Sequence, residues 1–211
     1  MLIDGSKVKE LLTAHGINVS GVLHVGAFEC EELPFYHSLG IASERVFWID
    51  ALQHMVDQNI RKGVPNVYQG VVSDTDGETV TFHVTNNGMS SSMLEMGSHL
   101  RHHPHVHNVG TLALTTTTLN TFFTTHKIPY EGLDFWNLDI QGAELRALRG
   151  AQAALPFVKA LYLEVNTEEV YKKCGLLPDL DSFLAEHGFQ RILTEMTPFG
   201  WGDALYVRKT A

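Results

Sequence analysis

The stretch Phe135-Trp-Asn-Leu-Asp-Ile-Gln-Gly-Ala-Glu-Leu-Arg-Ala-Leu-Arg-Gly-Ala151 decides how the chain is read. It opens on a short apolar run, the mark of a buried strand, and places Asp139 and Gln141 where that strand ends. Gly142 permits a tight turn. Glu144 then falls in the first turn of a helix, where a negative charge suits the positive helix end. Leu145 and Leu148 lie three apart and share one helix face, which Gly150 or Pro156 brings to a stop. A strand, a turn and a helix make one unit of an open α/β sheet, whose ligands lie beyond the carboxyl ends of the strands. Taken alone, Asp139 has two readings: a helix cap, which Asp makes well, or one wall of a site.

Outward from this stretch the unit recurs. Gly21-Val-Leu-His-Val-Gly-Ala27 is a buried strand entering a tight turn, with a helix expected over residues 29–39. Arg45-Val-Phe-Trp-Ile-Asp50 is a strand that finishes on a carboxylate, and a helix over 52–62 is closed by Gly63 and Pro65. A third strand spans 66–74 and ends in Ser73-Asp74. Strand and helix alternating at this spacing predict a parallel sheet with crossover helices. Asp76-Gly77 reads as a hairpin-type turn, and residues 78–85 alternate as a half-exposed strand does. Residues 86–110 are irregular and rich in Ser and His, a length at which loops are functional or mobile. Residues 115–123 lead through a helix. Beyond the opening stretch come a strand over 160–165 that exits on Glu164 and Asn166, a helix over 178–187, and closing strands over 189–196 and 203–208. A leading helix over 4–15 precedes everything. With no repeat, low-complexity tract or linker, residues 1–211 read as one doubly wound α/β domain: a leading segment at 1–20, and a mobile acceptor-side loop at 86–110.

Composition narrows the function. The chain has 211 residues, a formal charge of −9 and no run of Lys or Arg, which argues against nucleic acid as the main partner. Cys30 and Cys174 are the only cysteines and form no CxxC pair, so neither a disulfide framework nor a thiolate zinc site is expected. No apolar run is long enough to span a bilayer, and a soluble cytoplasmic setting is the expectation.

The polar groups on the strand exits are Gly26 with Phe28, Asp50, Ser73 with Asp74, Asp139 and Glu164. The first exit lacks a GxGxxG pattern and carries Glu29, Glu31 and Glu32, which repel the pyrophosphate a dinucleotide would place there. No GxxxxGK[ST] loop exists either. Asp50 stands about 20 residues beyond the glycine turn, the spacing of a ribose-binding carboxylate. A nucleoside that lacks phosphates and carries positive charge is S-adenosylmethionine. Each carboxylate alone reads equally well as a cap or a surface residue; their joint placement favours a binding site.

At this point a resemblance is evident from residue 22 to 208. Val22-Leu-His-Val-Gly-Ala-Phe-Glu-Cys-Glu-Glu, Phe47-Trp-Ile-Asp-Ala, Val72-Ser-Asp, Gly88-Met-Ser-Ser-Ser-Met, Thr117-Thr-Leu-Asn-Thr-Phe-Phe and Leu138-Asp-Ile-Gln-Gly-Ala-Glu-Leu occur in order. Together they resemble the FkbM family of S-adenosylmethionine-dependent methyltransferases. The resemblance implies a class I methyltransferase (Rossmann-like) three-layer fold whose mostly parallel sheet ends with an antiparallel strand. It implies cofactor contacts from His24, Gly26, Ala27, Phe28 and Glu32 at the first turn, and from Asp50 and Ala51 at the second strand. Ser73, Asp74, Ser92, Asp139 and Gln141 complete the implied set. The sequence departs from the family pattern at His24, where many members have Asp, at Cys30, where many have Gly, and at Asn120, where the family has an acid.

The implied reaction is O-methylation of a sugar, glycan or related natural product. Methyl transfer to a hydroxyl needs an in-line arrangement and is helped by a base within hydrogen-bond reach. Asp139 is the first candidate for a role at the methyl site and Glu164 the second. The five histidines of Ser98-His-Leu-Arg-His-His-Pro-His-Val-His-Asn108 invite a metal reading, but Pro104 interrupts them and no HExxH pattern supports it. They read instead as part of the lid, one of them a further base candidate. A binding module that keeps the fold without catalysis, or transfer to a non-sugar acceptor, are the competing classes.

Overall fold

The computed structural model describes residues 1–209. In chain order the elements are α1 (Gly5–Ala14), β1 (Val22–Val25), α2 (Leu33–Ser38), β2 (Val46–Asp50), α3 (Gln53–Arg61), β3 (Val67–Gln69), β4 (Val71–Val72), β5 (Thr79–Thr85) and α4 (His99–His102). There follow β6 (Asn108–Thr117), α5 (Leu119–His126), β7 (Phe135–Leu138), α6 (Glu144–Arg149), β8 (Ala160–Asn166), α7 (Leu177–Glu186), β9 (Phe189–Met196) and β10 (Trp201–Arg208).

Seven strands form one sheet in the order β3-β2-β1-β7-β8-β10-β9. The first five are mutually parallel, while β10 runs antiparallel to both β8 and β9. Parallel strands covered on both faces must be apolar on both, and β1 and β7 are buried along their whole length. Alternation sorts their side chains. Leu23, Val25, Trp136 and Leu138 pack with α5, α6 and α7, through Phe122, Leu148 and Leu184 among others. Val22 and Phe135 point the other way, into a second core with Val8, Leu12, Tyr36 and Val56 from α1, α2 and α3. These are the three layers of the expected fold, and among the described residues no helix is long and apolar enough to cross a membrane.

Several boundaries differ from expectation. The helix expected over 29–39 begins only at Leu33, because Phe28 and Cys30 adopt positive φ (40° and 57°) in a turn no local rule predicts. The third strand divides at Gly70 into β3, on the main sheet, and β4, on a small sheet ordered β4-β6-β5. A side chain at Gly70 would lie 2.9 Å from the Phe122 ring. Asp76-Gly77 does not join a hairpin, since β4 and β5 both pair with β6 and not with each other. Asp76 instead accepts the backbone N–H of Thr118 (2.7 Å) at the start of α5. The helix expected over 115–123 begins at Leu119, because residues 115–117 end β6.

The sheet's central turn is very tight. Gly26 has φ +91°, and a Cβ there would lie 1.8 Å from the backbone oxygen of Asp139 on the neighbouring strand exit. Gly26→Ala is expected to destabilise the protein by about 3 kcal/mol or more, combining left-handed strain with overpacking against rigid backbone. A urea unfolding curve checks this; an unmoved midpoint would contradict the packing described.

Candidate active site

Two adjoining cavities open at the carboxyl edge of the sheet, and Asp139 and Gln141 line both. The narrower, about 70 Å³, runs between Gly26, Phe28, Asp50, Ala51, Leu52, Val72, Phe82 and Met93. The wider, about 360 Å³, is walled by Glu164, Asp203, Tyr171, Trp201, His99, His103 and His105. Together they reach the ~300–1,000 Å³ range of small-molecule sites. Among the described residues no Lys or Arg lines either cavity.

Asp50 ends β2 and holds the first turn. Its two carboxylate oxygens accept the backbone N–H groups of Phe28 and Leu52, each at 2.8 Å. Burial pushes its pKa up, while those two hydrogen bonds pull the other way. Asn59 from α3 donates to the Phe28 carbonyl at 2.6 Å. This side-chain scaffold holds a non-glycine turn in positive φ and presents the Phe28 ring and Asp50 to the narrow cavity.

In the turn after β7 Asp139 does not cap the helix, whose N-cap is Ala143. Glu144, not Asp139, braces the turn: one Glu144 oxygen accepts the N–H groups of Ile140 (2.9 Å) and Gly142 (3.2 Å). Burial lifts the Glu144 pKa to about 8. Asp139 is left at the junction of the cavities with an exposed side chain. Gln141, at φ +56°, donates its side-chain nitrogen to Asp139 (2.6 Å) and to Glu164 (2.5 Å). Its side-chain oxygen accepts from the Tyr171 hydroxyl at 2.6 Å, and its backbone oxygen from Ser92 at 2.9 Å. The strained backbone is therefore tied down at both ends of the side chain.

Glu164 is 4% exposed, and its pKa is raised well above the carboxylate range, first by burial and then by the charges of Asp139 and Glu144. Strand β10 runs backwards past β8 and sets Asp203 directly opposite Glu164 in register. Asp203 accepts from the Tyr162 hydroxyl.

Of the residues expected at the site, Gly26, Phe28, Asp50, Ala51, Asp139, Gln141 and Glu164 line the cavities. The others lie elsewhere. His24 points to the opposite face of the sheet, because strand alternation puts it beside Trp48 and Asn137. There its Nδ1 meets the Tyr36 hydroxyl (2.9 Å), its ring stacks on Trp48 at 4.8 Å, and burial lowers its pKa. Ala27 is packed in the core on that face, and Glu32, just before α2, stands 3.8 Å from His24. Ser73 is buried with its hydroxyl on Asp74, and Asp74 lines a separate surface cleft with Arg146 and Arg149. Ser92 lines neither cavity; its hydroxyl donates to the Gln141 backbone oxygen and accepts the N–H of Leu94 (3.0 Å). Cys30 is a packed thiol whose pKa burial pushes up to about 12.

Residues 86–110 contain α4 and are pinned to the chain after β8: the N–H of Gly97 donates to Val170 (2.8 Å), and His102 pairs with Glu168 (2.8 Å). Among the described residues no three His, Cys, Asp or Glu side chains converge as metal ligands. Sequence reasoning passed over Asp203, Tyr171, Phe82 and Met93. Asp203 carried a signal, an acid entering an otherwise apolar closing strand; the other three had none.

The sheet order, the reversed β10 and a site on the strand exits define a class I methyltransferase-type α/β fold. The family model described as the methyltransferase FkbM domain matches residues 24–191, and the chain belongs to that family. The fold is similar to that of M. capricolum TrmK, solved with S-adenosyl-homocysteine: TM-score 0.53, 9% identity, covering 99% of this chain and 69% of that one. It is likewise similar to the O-methyltransferase from Bacillus cereus, also solved with SAH: TM-score 0.52, 14% identity, covering 99% and 82%. No curated protein sequence matches the chain.

Proposed function

We propose that the protein transfers a methyl group from S-adenosyl-L-methionine to a hydroxyl of a sugar, glycan or related small molecule held in the wider cavity. The observation that carries this reading is the meeting of an apolar slot and a wider cavity walled by acids and histidines at one carboxylate, Asp139.

The residues fit the cofactor's chemistry. An apolar slot bearing a carboxylate at Asp50 and another at Asp139, with no cationic side chain, suits a nucleoside that has positive charge and no phosphate. Phe28, Leu52, Phe82 and Met93 would hold the base, Asp50 the ribose hydroxyls and Asp139 the amine. The cofactor supplies a methyl group already activated by its sulfonium. The protein's share is orientation and the handling of one acceptor proton, for which Glu164 is the buried group at the acceptor side. Trp201 offers aromatic surface on which a sugar face would pack.

Titration with S-adenosylmethionine, followed by mass-spectrometric detection of methylated product across sugar and non-sugar hydroxyl acceptors, tests the proposal. Cofactor binding without product from any acceptor would favour a non-catalytic binding module. Asp50→Ala is expected to weaken cofactor binding roughly 10-fold or more, about 1.5–3 kcal/mol for a hydrogen bond to a charged group. Because Asp50 also accepts from Phe28 and Leu52, an unfolding curve is recorded alongside; unchanged affinity in a folded variant would sink the ribose assignment.

A further inference from the structure

The side-chain nitrogen of Gln141 reaches both Asp139 and Glu164, so one neutral amide bridges two carboxylates. Like charges this close do not both ionise readily when one is out of water. Of the two, Glu164 is the buried one, so burial keeps the proton on Glu164.

Among the described residues no Lys or Arg lines the cavities to offset a second negative charge. Facing Glu164 are Glu144 from α6, Asp203 from β10, Tyr162 on β8 itself and Tyr171 from the chain beyond β8. Across the cavity stand His99, at the start of α4, and His103 and His105 just after it. Burial pulls the pKa of His99 down to about 4 and that of His103 in the same direction, so neither brings a positive charge at neutral pH. Met1 also lines this cavity, and its terminal amine stands 3.7 Å from Glu32.

We propose that Glu164 carries a proton in the cofactor-free protein and gives it to solvent when a cationic cofactor binds beside Asp139, leaving Glu164 as the acceptor-side base. This rests on the S-adenosylmethionine reading of the site. Positive charge next to Asp139 removes the repulsion that kept Glu164 protonated. The Glu164 carboxylate then takes the acceptor's hydroxyl proton as the new oxygen–carbon bond forms and the sulfur–carbon bond breaks, the sulfur keeping that electron pair. Products leave a protonated Glu164, and the next cofactor expels that proton. One proton is released per turnover, at the binding step.

Calorimetric titration with S-adenosylmethionine in buffers of different ionisation enthalpy reads the proton directly. Release of about one proton per cofactor is expected near neutral pH, with affinity rising about tenfold per pH unit while Glu164 stays protonated. S-adenosylhomocysteine, which lacks the sulfonium charge, releases less. Glu164→Gln binds S-adenosylmethionine with the release lost. Binding whose heat does not depend on the buffer overturns the proposal, as does undiminished release in Glu164→Gln. The wild-type arms decide the matter even if that variant does not fold. If neither ligand binds, the cofactor reading itself is overturned and this proposal with it.

Discussion

Asp139→Ala is expected to weaken S-adenosylmethionine binding by about 10- to 150-fold, the ~1.5–3 kcal/mol of a hydrogen bond between charged groups. Turnover should fall further still, because an untethered methionine end loses the in-line alignment on which methyl transfer depends. The loss should be one of function and not of folding. Asp139 is exposed, its neighbours' N–H groups are satisfied by Glu144, and its own N–H donates to Val25 at 2.9 Å whatever side chain it carries. The unfolding midpoint should therefore stay within about 0.5 kcal/mol of wild type, as for a surface substitution. Asp139→Asn keeps the shape and removes the charge, so comparing the two variants separates electrostatic attraction from simple hydrogen bonding. Wild-type affinity and turnover in Asp139→Ala would remove Asp139 from the site altogether.

How far such a site can be read in advance depends on the range over which its parts are held. Strands β1, β2 and β7 are legible because burial on both faces demands predominantly apolar runs, and their exits fall at Gly26, Asp50 and Asp139 by position alone. Face assignment within a strand is legible too, by counting alternation from Val25, yet His24 resembles a motif position strongly enough to mislead. Its partners Tyr36, Trp48 and Asn137 come from three other elements, and only their convergence shows that the imidazole belongs to a buried network. The late start of α2 has the same origin: Asp50 and Asn59 hold the 28–32 turn from a distance. Asp203 and Glu164 are far apart in sequence and meet because β10 reverses direction, a topological fact that no local pattern encodes.

Glu164→Gln is expected to lower kcat by about 10²–10⁴-fold, the contribution of a positioned general base, while cofactor binding survives but loses its dependence on pH. The argument depends on what the substitution preserves. Glutamine keeps the volume at a position only 4% exposed, so no cavity opens, and its side-chain carbonyl still accepts from Gln141, now at 2.5 Å from Glu164. Since the native carboxyl already carries its proton in the cofactor-free protein, the neutral amide resembles that state and should not destabilise the fold. What it cannot do is ionise and accept the acceptor's proton. The kinetic signature follows. Wild-type kcat should rise with pH until the base is fully ionised in the bound complex, whereas the residual rate of Glu164→Gln should lose that limb and depend only on the acceptor hydroxyl. A variant that kept the wild-type pH limb would move the base assignment to another group on the same cavity wall, with Asp203, aligned opposite Glu164 on β10, the nearest one in register.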